Sequence, residues 1–456
     1  MQLRKNIVIC GSGIAGVSTA YHLAVQHRLQ DILLIDQLPP LSLTSDQSTE
    51  CYRNWWPGPD NAMVSLMNRS LDIIEDLALE SDNVFHLNQR GYLYLTEDRE
   101  KIPEIITESR KISRYGAGPF RIHRGEQDKE IYQPVEPPHT NGQLLGTDLI
   151  TDPGLIQKTY PFLSPDIVAA LHVRRAGWLS AQQLGMYLLE KAKSKGVQFL
   201  QERIEKIGVS GNRVAELNLT DGTRILPGIF INAGGPFIKY IVNMMNIELP
   251  VFSELHHKIS FRDHLKVIRR DAPLLIWMDP QRLPWTNEER DEIAGDKEYS
   301  WMLGELPPGI HTRPEGGSGS QTVLMLWEYC SNIMEPHFPI PENPVYPDIV
   351  LRGLIKMLPG MKAYLDRTPK PVVDGGYYTK TRENRPLIGP LPVEGAYVIG
   401  ALSGFGIMAA CGAGDLLAAH IVGKKLPDYA HSFSVDRYSD PDYQEKLEDW
   451  GSSGQL

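Results

Sequence analysis

Hydrophobic and polar positions over residues 6–36 follow two different periods. Ile7, Val8 and Ile9 form a β-branched run, whereas Ile14, Ala15, Val17, Ala20, Leu23 and Ala24 recur at helical spacing. A second run, ILLID, ends at Asp36, and Gly11, Gly13 and Gly16 stand as G-x-G-x-x-G between the first run and the helix. The pattern predicts a strand, a glycine turn, a helix and a strand, a unit that binds a dinucleotide. The first glycine permits the tight turn, the second lets a pyrophosphate reach the backbone, and the third lets helix and strand pack closely. Free N–H groups at the helix start suit phosphate charge. Asp36, 20 positions after Gly16, is placed to accept hydrogen bonds from ribose hydroxyls. The alternative is a glycine-rich packing turn, and this segment leaves open which dinucleotide is held.

Farther along, LPPLSLTSDQSTECYRNWWPGPDNA reads as a long irregular loop returning over the nucleotide. Helical periodicity resumes over residues 62–79 through Met63, Leu66, Met67, Leu71, Ile74 and Leu77, and GYLYL follows as a strand. Ser180 and Gln183 form an S-x-x-Q capping box for a helix ending at Gly196. VQFL, RIEKIGV, RVAELNL and TRILPGIFINAGG then predict a small antiparallel sheet that leads to a second close-backbone site at Ala233, Gly234 and Gly235. Residues 250–370 predict most of another sheet, with strands at 255–261 and 322–327 and a loop, RPEGGSGS, at 313–320. No internal repeat is visible, and the acidic tail over 439–456 is expected to fray.

Composition narrows the classes. A chain of 456 residues exceeds what one core usually supports, so two intimately packed domains are expected. A net charge of −10 offers no basic excess for phosphate contacts, which argues against a nucleic-acid partner. Cys10, Cys51, Cys330 and Cys411 lie far apart without metal-ligand spacing, so neither a metal nor a disulfide framework is expected and a reduced, cytoplasmic setting is the default. No run approaches 18 uninterrupted apolar residues, hence no transmembrane segment is expected.

The last part of the chain narrows the cofactor. YYTKTRENRPLIGP at 377–390 precedes the strand AYVIG and then ALSGFGIMAACGAGDLLAAHIVG at 401–423. Ser403, Gly404, Phe405, Gly406, Ile407 and Met408 form a glycine-flexed helix entry whose N–H groups and dipole suit the negative charge of a reduced flavin. A packing role alone is the alternative for this loop. Together with GSGIAG, INAGG, GYLYL and RPEGG, these pieces resemble the flavin-dependent D-amino-acid oxidase superfamily, and within it the sarcosine oxidase and dimethylglycine dehydrogenase branch. The resemblance runs from residue 5 to about residue 425.

It implies an α/β fold in which a Rossmann-like FAD-binding domain (1–85, 150–250 and 371–430) is interleaved with a mixed or antiparallel-sheet substrate domain (86–149 and 251–370), followed by an extension at 431–456. It implies FAD held by Gly11, Gly13, Ile14, Ala15, Gly16, Asp36, Ala233, Gly234, Gly404, Phe405, Gly406, Ile407 and Met408. Ser45, Ser48 and Thr49 would lie in the loop crossing the flavin, or serve as turn caps, and Ile204 near the adenine. The implied reaction takes a hydride from the carbon beside an amine or amino-acid nitrogen, yielding an imine. Arg53 in CYRNWW matches the arginine sarcosine oxidases place beside the flavin and is the candidate carboxylate anchor; Tyr378 matches the tyrosine before T-x-T. His257 and His256 lie on a candidate strand, and alternation puts His257 with Leu255, Ile259 and Phe261. His257 is the histidine taken as catalytic. Trp55 and Trp56 suit an amine pocket or simple packing over the flavin, and Glu328 and Tyr329 are open candidates.

Departures from the branch matter as much. The cysteine that sarcosine oxidases link to flavin falls at Gly376, and STECYRN lacks the histidine dimethylglycine dehydrogenases use, so the flavin is expected to be noncovalent unless Cys51 serves. The carboxylate-binding lysine falls at Met408 and the oxygen-activating lysine near Met325, which favours a dehydrogenase passing electrons to a carrier over an oxidase using O2. Two other readings stay open: an FAD enzyme acting on an α-hydroxy acid or larger amine, and a flavin-bound non-catalytic assembly subunit. The oligomeric state is left unassigned.

Overall fold

The computed structural model describes residues 1–125, 128, 131–135 and 144–448. Its first strand, Gln2–Cys10, runs between Ile32–Asp36 and Arg224–Asn232, all parallel. Ile7, Val8 and Ile9 are all buried there because both faces are covered, the Ile7 and Ile9 side by helices and the Val8 side by strand residues such as Ile207 and Leu217 with Ile238 and Val242, which is why the run is continuous rather than alternating. Gln198–Gln201 extends the sheet beyond Ile32–Asp36, Ala396–Gly400 joins alongside Arg224–Asn232, and Leu387–Pro390 pairs antiparallel with Ala396–Gly400.

The small antiparallel sheet expected from VQFL onward is corrected in two ways. VQFL pairs parallel with Ile32–Asp36, because helix Ala181–Ser194 carries the chain back in the same direction before it. Antiparallel pairing joins Ile204–Ser210 to Arg213–Leu219 and Arg213–Leu219 to Arg224–Asn232, and these strands continue the same eight-stranded sheet. Ser180 caps Ala181–Ser194 by accepting from the Gln183 N–H at 3.4 Å.

A nine-stranded sheet runs Val372–Lys380, Phe252–Arg262, Thr322–Leu326, His311–Pro314, Leu274–Trp277, Tyr92–Thr96, Ala169–Val173, Thr147–Ile150 and Phe120–His123. Helix Tyr346–Met357 buries Ile349, Val350 and Leu354 against Trp277, Met325 and Trp327 from this sheet. Ala169–Val173 and Val372–Lys380 belong to this sheet, although sequence reading grouped both with the nucleotide-side segments; pattern reveals a strand but not its neighbour. Arg313 and Pro314 end a strand rather than open the RPEGGSGS loop, and the long loop after Asp36 contains the strand Cys51–Arg53, paired with Ala176–Trp178.

Helix Ile14–Tyr21 is buried along its whole length against Gly406–Ile421. Small side chains allow it: Ser18 Oγ donates to Ala410 O at 2.8 Å, and a Cβ on Gly414 would stand 2.5 Å from Ser18 Oγ. Ser403–Ile421, although interrupted by Asp415, is long and apolar enough to cross a membrane by length and composition, yet 67% of its most apolar 18-residue window is buried inside the protein, as befits a core helix. The tail is ordered where fraying was expected: Pro441–Glu448 is helical, and Tyr443 is buried with its hydroxyl on Glu383 Oε1 at 3.0 Å. Residues 449–456 of that tail lie outside the described residues.

Candidate cofactor cavity and substrate pocket

Backbone geometry at the glycine turn leaves no room for side chains. Gly11 has φ +107°, and a Cβ there would stand 2.2 Å from Ala233 O; one on Gly16 would stand 1.9 Å from Gly11 O. The turn is therefore wedged against the Ala233–Gly234 return. Gly13 lines the cavity, a Cβ there would stand a tight 3.3 Å from Ser45 Oγ, and Ser45 Oγ accepts the Ile14 N–H at 3.0 Å. Asp36 braces the turn as well as facing the cavity: its carboxylate accepts from Ser12 N at 2.7 Å, Ser12 Oγ at 3.1 Å and Leu38 N at 3.0 Å.

A cavity of about 580 Å³ starts at Asp36 and Ile204 and passes Gly11, Gly13, Ile14, Ala15, Ser45, Ser48, Ala233 and Gly234. It ends at Tyr378, Gly404, Gly406 and Ile407, where helix Gly406–Ile421 begins. Gly16 sits behind the lining, in the helix–strand contact. Two features of the far end suit an elongated ligand with acceptor groups. The Ser403 hydroxyl is buried without a protein partner on the cavity wall, with its backbone at φ +46°, and Gly406 and Ile407, which open the helix and whose N–H groups have no intrahelical partner, line the same wall. The residues present thus fit FAD, with the ADP part at the glycine turn and the ring system toward Gly404 and Tyr378.

A second, smaller pocket of about 40 Å³ shares Tyr378 and Gly404 with the first. Thr49, Arg53, Phe405 and Met408 line it, with Cys51, Trp56, Tyr92, His311, Leu326 and Glu328. Arg53, from Cys51–Arg53, is only 3% exposed; its guanidinium lies over Trp56 at 4.6 Å and Tyr92 at 5.8 Å from the ring centroids, and its Nε donates to Trp55 O at 3.0 Å. Trp56 in turn meets the Phe405 ring edge-on at 4.9 Å. Burial raises the Tyr92 and Tyr378 hydroxyls well above the ordinary phenol range and lowers His311, so these walls stay neutral.

His257 reaches neither cavity. Its Nε2 meets Pro341 O at 3.0 Å and its ring packs near Tyr346, because the side of Phe252–Arg262 carrying Ile259 and Phe261 faces the sheet's core. The opposite side carries His256, 5% exposed and stacked on Tyr378 at 3.9 Å between ring centroids. Met325 likewise belongs to the core, so the position fronting the pocket on its strand is Leu326, with Glu328 two residues on. His311 escaped sequence reading, and Lys258 was seen only as sharing a side of its strand with His256. Alternation within Phe252–Arg262 puts Lys258 with His256, and Lys258 Nζ donates to Ser48 O at 3.0 Å. The four cysteines are free; Cys51 is pushed up by burial, which disfavours a reactive thiolate. Among the described residues no metal-ligand group occurs.

The family model for FAD dependent oxidoreductase (DAO) matches residues 6–420. The chain belongs to the DAO family of FAD dependent oxidoreductases. DAO-family relatives include rat (Rattus norvegicus) mitochondrial dimethylglycine dehydrogenase, 22% identical over 67% of this chain and 33% of that protein. Sarcosine oxidase subunit beta from Arthrobacter sp is 23% identical over 58% of this chain and 62% of its own length. The chain thus spans about a third and under two thirds of these two relatives. Among solved structures, L-proline dehydrogenase from P. horikoshii superposes with a TM-score of 0.72 at 20% identity, covering 96% of this chain and 99% of that one, which shows a shared fold.

Proposed function

We propose that this DAO-family oxidoreductase oxidises the C–N bond of an amine or N-alkyl amino acid to an imine. FAD, held noncovalently in the large cavity, supplies the hydride acceptor. The observation that carries the reading is Arg53: a buried guanidinium on a pocket that joins the cofactor cavity at Tyr378 and Gly404. Arg53 binds the substrate carboxylate, Trp56 and Tyr92 hold the guanidinium in place, and the Tyr378 hydroxyl orients the reacting end. Burial excludes water from that end. The printed names of the relatives, which act on N-methyl amino acids, point the same way. The position of the oxygen-activating lysine of this branch falls near Met325, and the strand there presents Leu326 rather than a cation to the pocket, which supports electron delivery to a carrier.

The purified protein is expected to be yellow, to release FAD on acid precipitation, and to bleach anaerobically with a secondary or tertiary amine such as an N-methyl amino acid. A colourless protein that cannot be reconstituted removes the cofactor assignment. Reduced enzyme should reoxidise faster with an artificial acceptor than with air; the reverse makes it an oxidase. Arg53→Ala should raise KM for carboxylate-bearing substrates, since losing one partner of a buried charged pair costs about 2–5 kcal/mol. Unchanged kinetics would take Arg53 out of the site. Met408, at the position of a carboxylate-binding lysine, favours as second reading a larger amine or an α-hydroxy acid, and an anaerobic panel of both classes separates the two.

A further inference from the structure

We infer that Glu328 anchors the substrate nitrogen, so that the pocket selects a zwitterion whose carboxylate lies on Arg53 and whose cationic amine lies on Glu328. This rests on the amine reading above and goes further by naming the charge pattern of the substrate.

The strand Thr322–Leu326 and its continuation carry Met325 and Trp327 into the core, whereas Leu326 and Glu328 line the pocket. Glu328 keeps 22% of its side chain accessible, against 2% for His256 behind it. Its Oε1 meets His256 Nδ1 at 2.7 Å; His256 Nε2 meets Glu254 Oε2 at 3.2 Å; and Lys380 Nζ reaches the same Glu254 oxygen at 2.5 Å. Two bases and two acids therefore alternate from the sheet toward the pocket, and the row ends in a carboxylate. Stacking on Tyr378, with 16° between the rings, fixes the plane of His256 so that Nδ1 stays aimed at Glu328. Burial alone would raise Glu328, but His256 and Lys380 outweigh it and hold the carboxyl below its ordinary range, as an anion.

Arg53 and Glu328 thus bring opposite charges to one largely desolvated pocket, walled by neutral His311, Tyr92 and Tyr378. By the occupancy of one water, its volume admits roughly three water-sized groups beside the cofactor cavity, the reacting end of a small substrate. An α-hydroxy acid would satisfy Arg53 but bring no positive charge to Glu328, losing the charge-assisted hydrogen bond that an amine makes.

The test uses flavin-loaded enzyme with sarcosine and proline as amines, and methoxyacetate and tetrahydro-2-furoate as their nitrogen-free isosteres. Amine affinity is read from the concentration dependence of anaerobic flavin reduction, and isostere affinity from perturbation of the flavin spectrum. Wild type should bind proline at least tenfold more tightly than tetrahydro-2-furoate. Glu328→Gln should weaken the amines tenfold or more while leaving the isosteres within twofold; Glu328→Asp, which keeps the charge, should lie between. Equal losses for amines and isosteres, or no preference in wild type, overturn the assignment of Glu328. Should Glu328→Gln fail to retain flavin, the wild-type preference and the aspartate variant decide. Failure of every amine to reduce the wild-type flavin would instead refute the amine reading itself.

Discussion

At Gly11 the backbone takes a conformation that L side chains rarely adopt, and the space beside it is already filled by the Ala233 carbonyl. Gly11→Ala should therefore abolish flavin retention or leave most of the protein insoluble, since strain and steric clash act together; the ratio of visible flavin absorbance to protein absorbance measures it. The same turn shows what a residue pattern can disclose. Three glycines at fixed spacing and Asp36 after the second strand were legible because close approach leaves a compositional mark. Resemblance singled out Arg53 and Tyr378, and both border the small pocket. His257 was misassigned because strand alternation sorts residues into two sides without saying which side meets the core. The pairing of His256 with Glu328 was not legible, for it joins side chains 72 positions apart through a neighbouring strand.

Elements tell a parallel story. Helix Ala62–Glu80 announced itself by period, strand Gln2–Cys10 by its β-branched run and helix Gly406–Ile421 by its glycine-flexed entry, whereas sheet neighbours did not, as Gln198–Gln201 and Val372–Lys380 illustrate. The C-terminal segment misled because its composition is polar, yet one residue ties it down. Arg437 is fully buried and donates from Nη2 to Glu383 Oε1 at 2.7 Å, and the Tyr438 hydroxyl donates to that oxygen at 2.8 Å. Arg437→Ala should cost about 3–5 kcal/mol, because it strands a buried carboxylate. Pairing it with Glu383→Gln should restore part of the loss in urea denaturation; a single-variant loss below about 1 kcal/mol would mean water already reaches Glu383.

For the whole molecule, buried histidines set the acid response. Burial, the largest cause in each case, pushes His22 down to about 4 and His172 down to about 3 from an ordinary 6.5. The unfolded chain thus binds more protons than the folded one as pH falls below about 6.5, so this contribution to stability is present above that pH and is lost toward 4 and 3. Glu254 is pulled down to about 2: burial raises it, but His256 and Lys380 prevail. Its contribution is present above its ordinary 4.5 and disappears as pH falls toward 2. Urea midpoints should accordingly be similar at pH 8 and 7 and decline from pH 6 downward; a flat profile from pH 7 to 4 would contradict the burial of both rings.

The large cavity draws one wall from Gly11 and Gly13 and another from Gly404 and Gly406, so its occupant touches both ends of the polypeptide at once. A ligand in that position acts as a noncovalent cross-link over most of the chain and binds only the folded state. Mass action then makes melting temperature a function of free FAD, with about 2.7 kcal/mol gained when FAD stands at 100 times its dissociation constant. Stripped protein should melt lower and be cut earlier by protease in the segments at 37–50 and 401–406, and added FAD should reverse both. Cellular flavin supply would in this way govern how much of the protein persists, as well as how much of it is active.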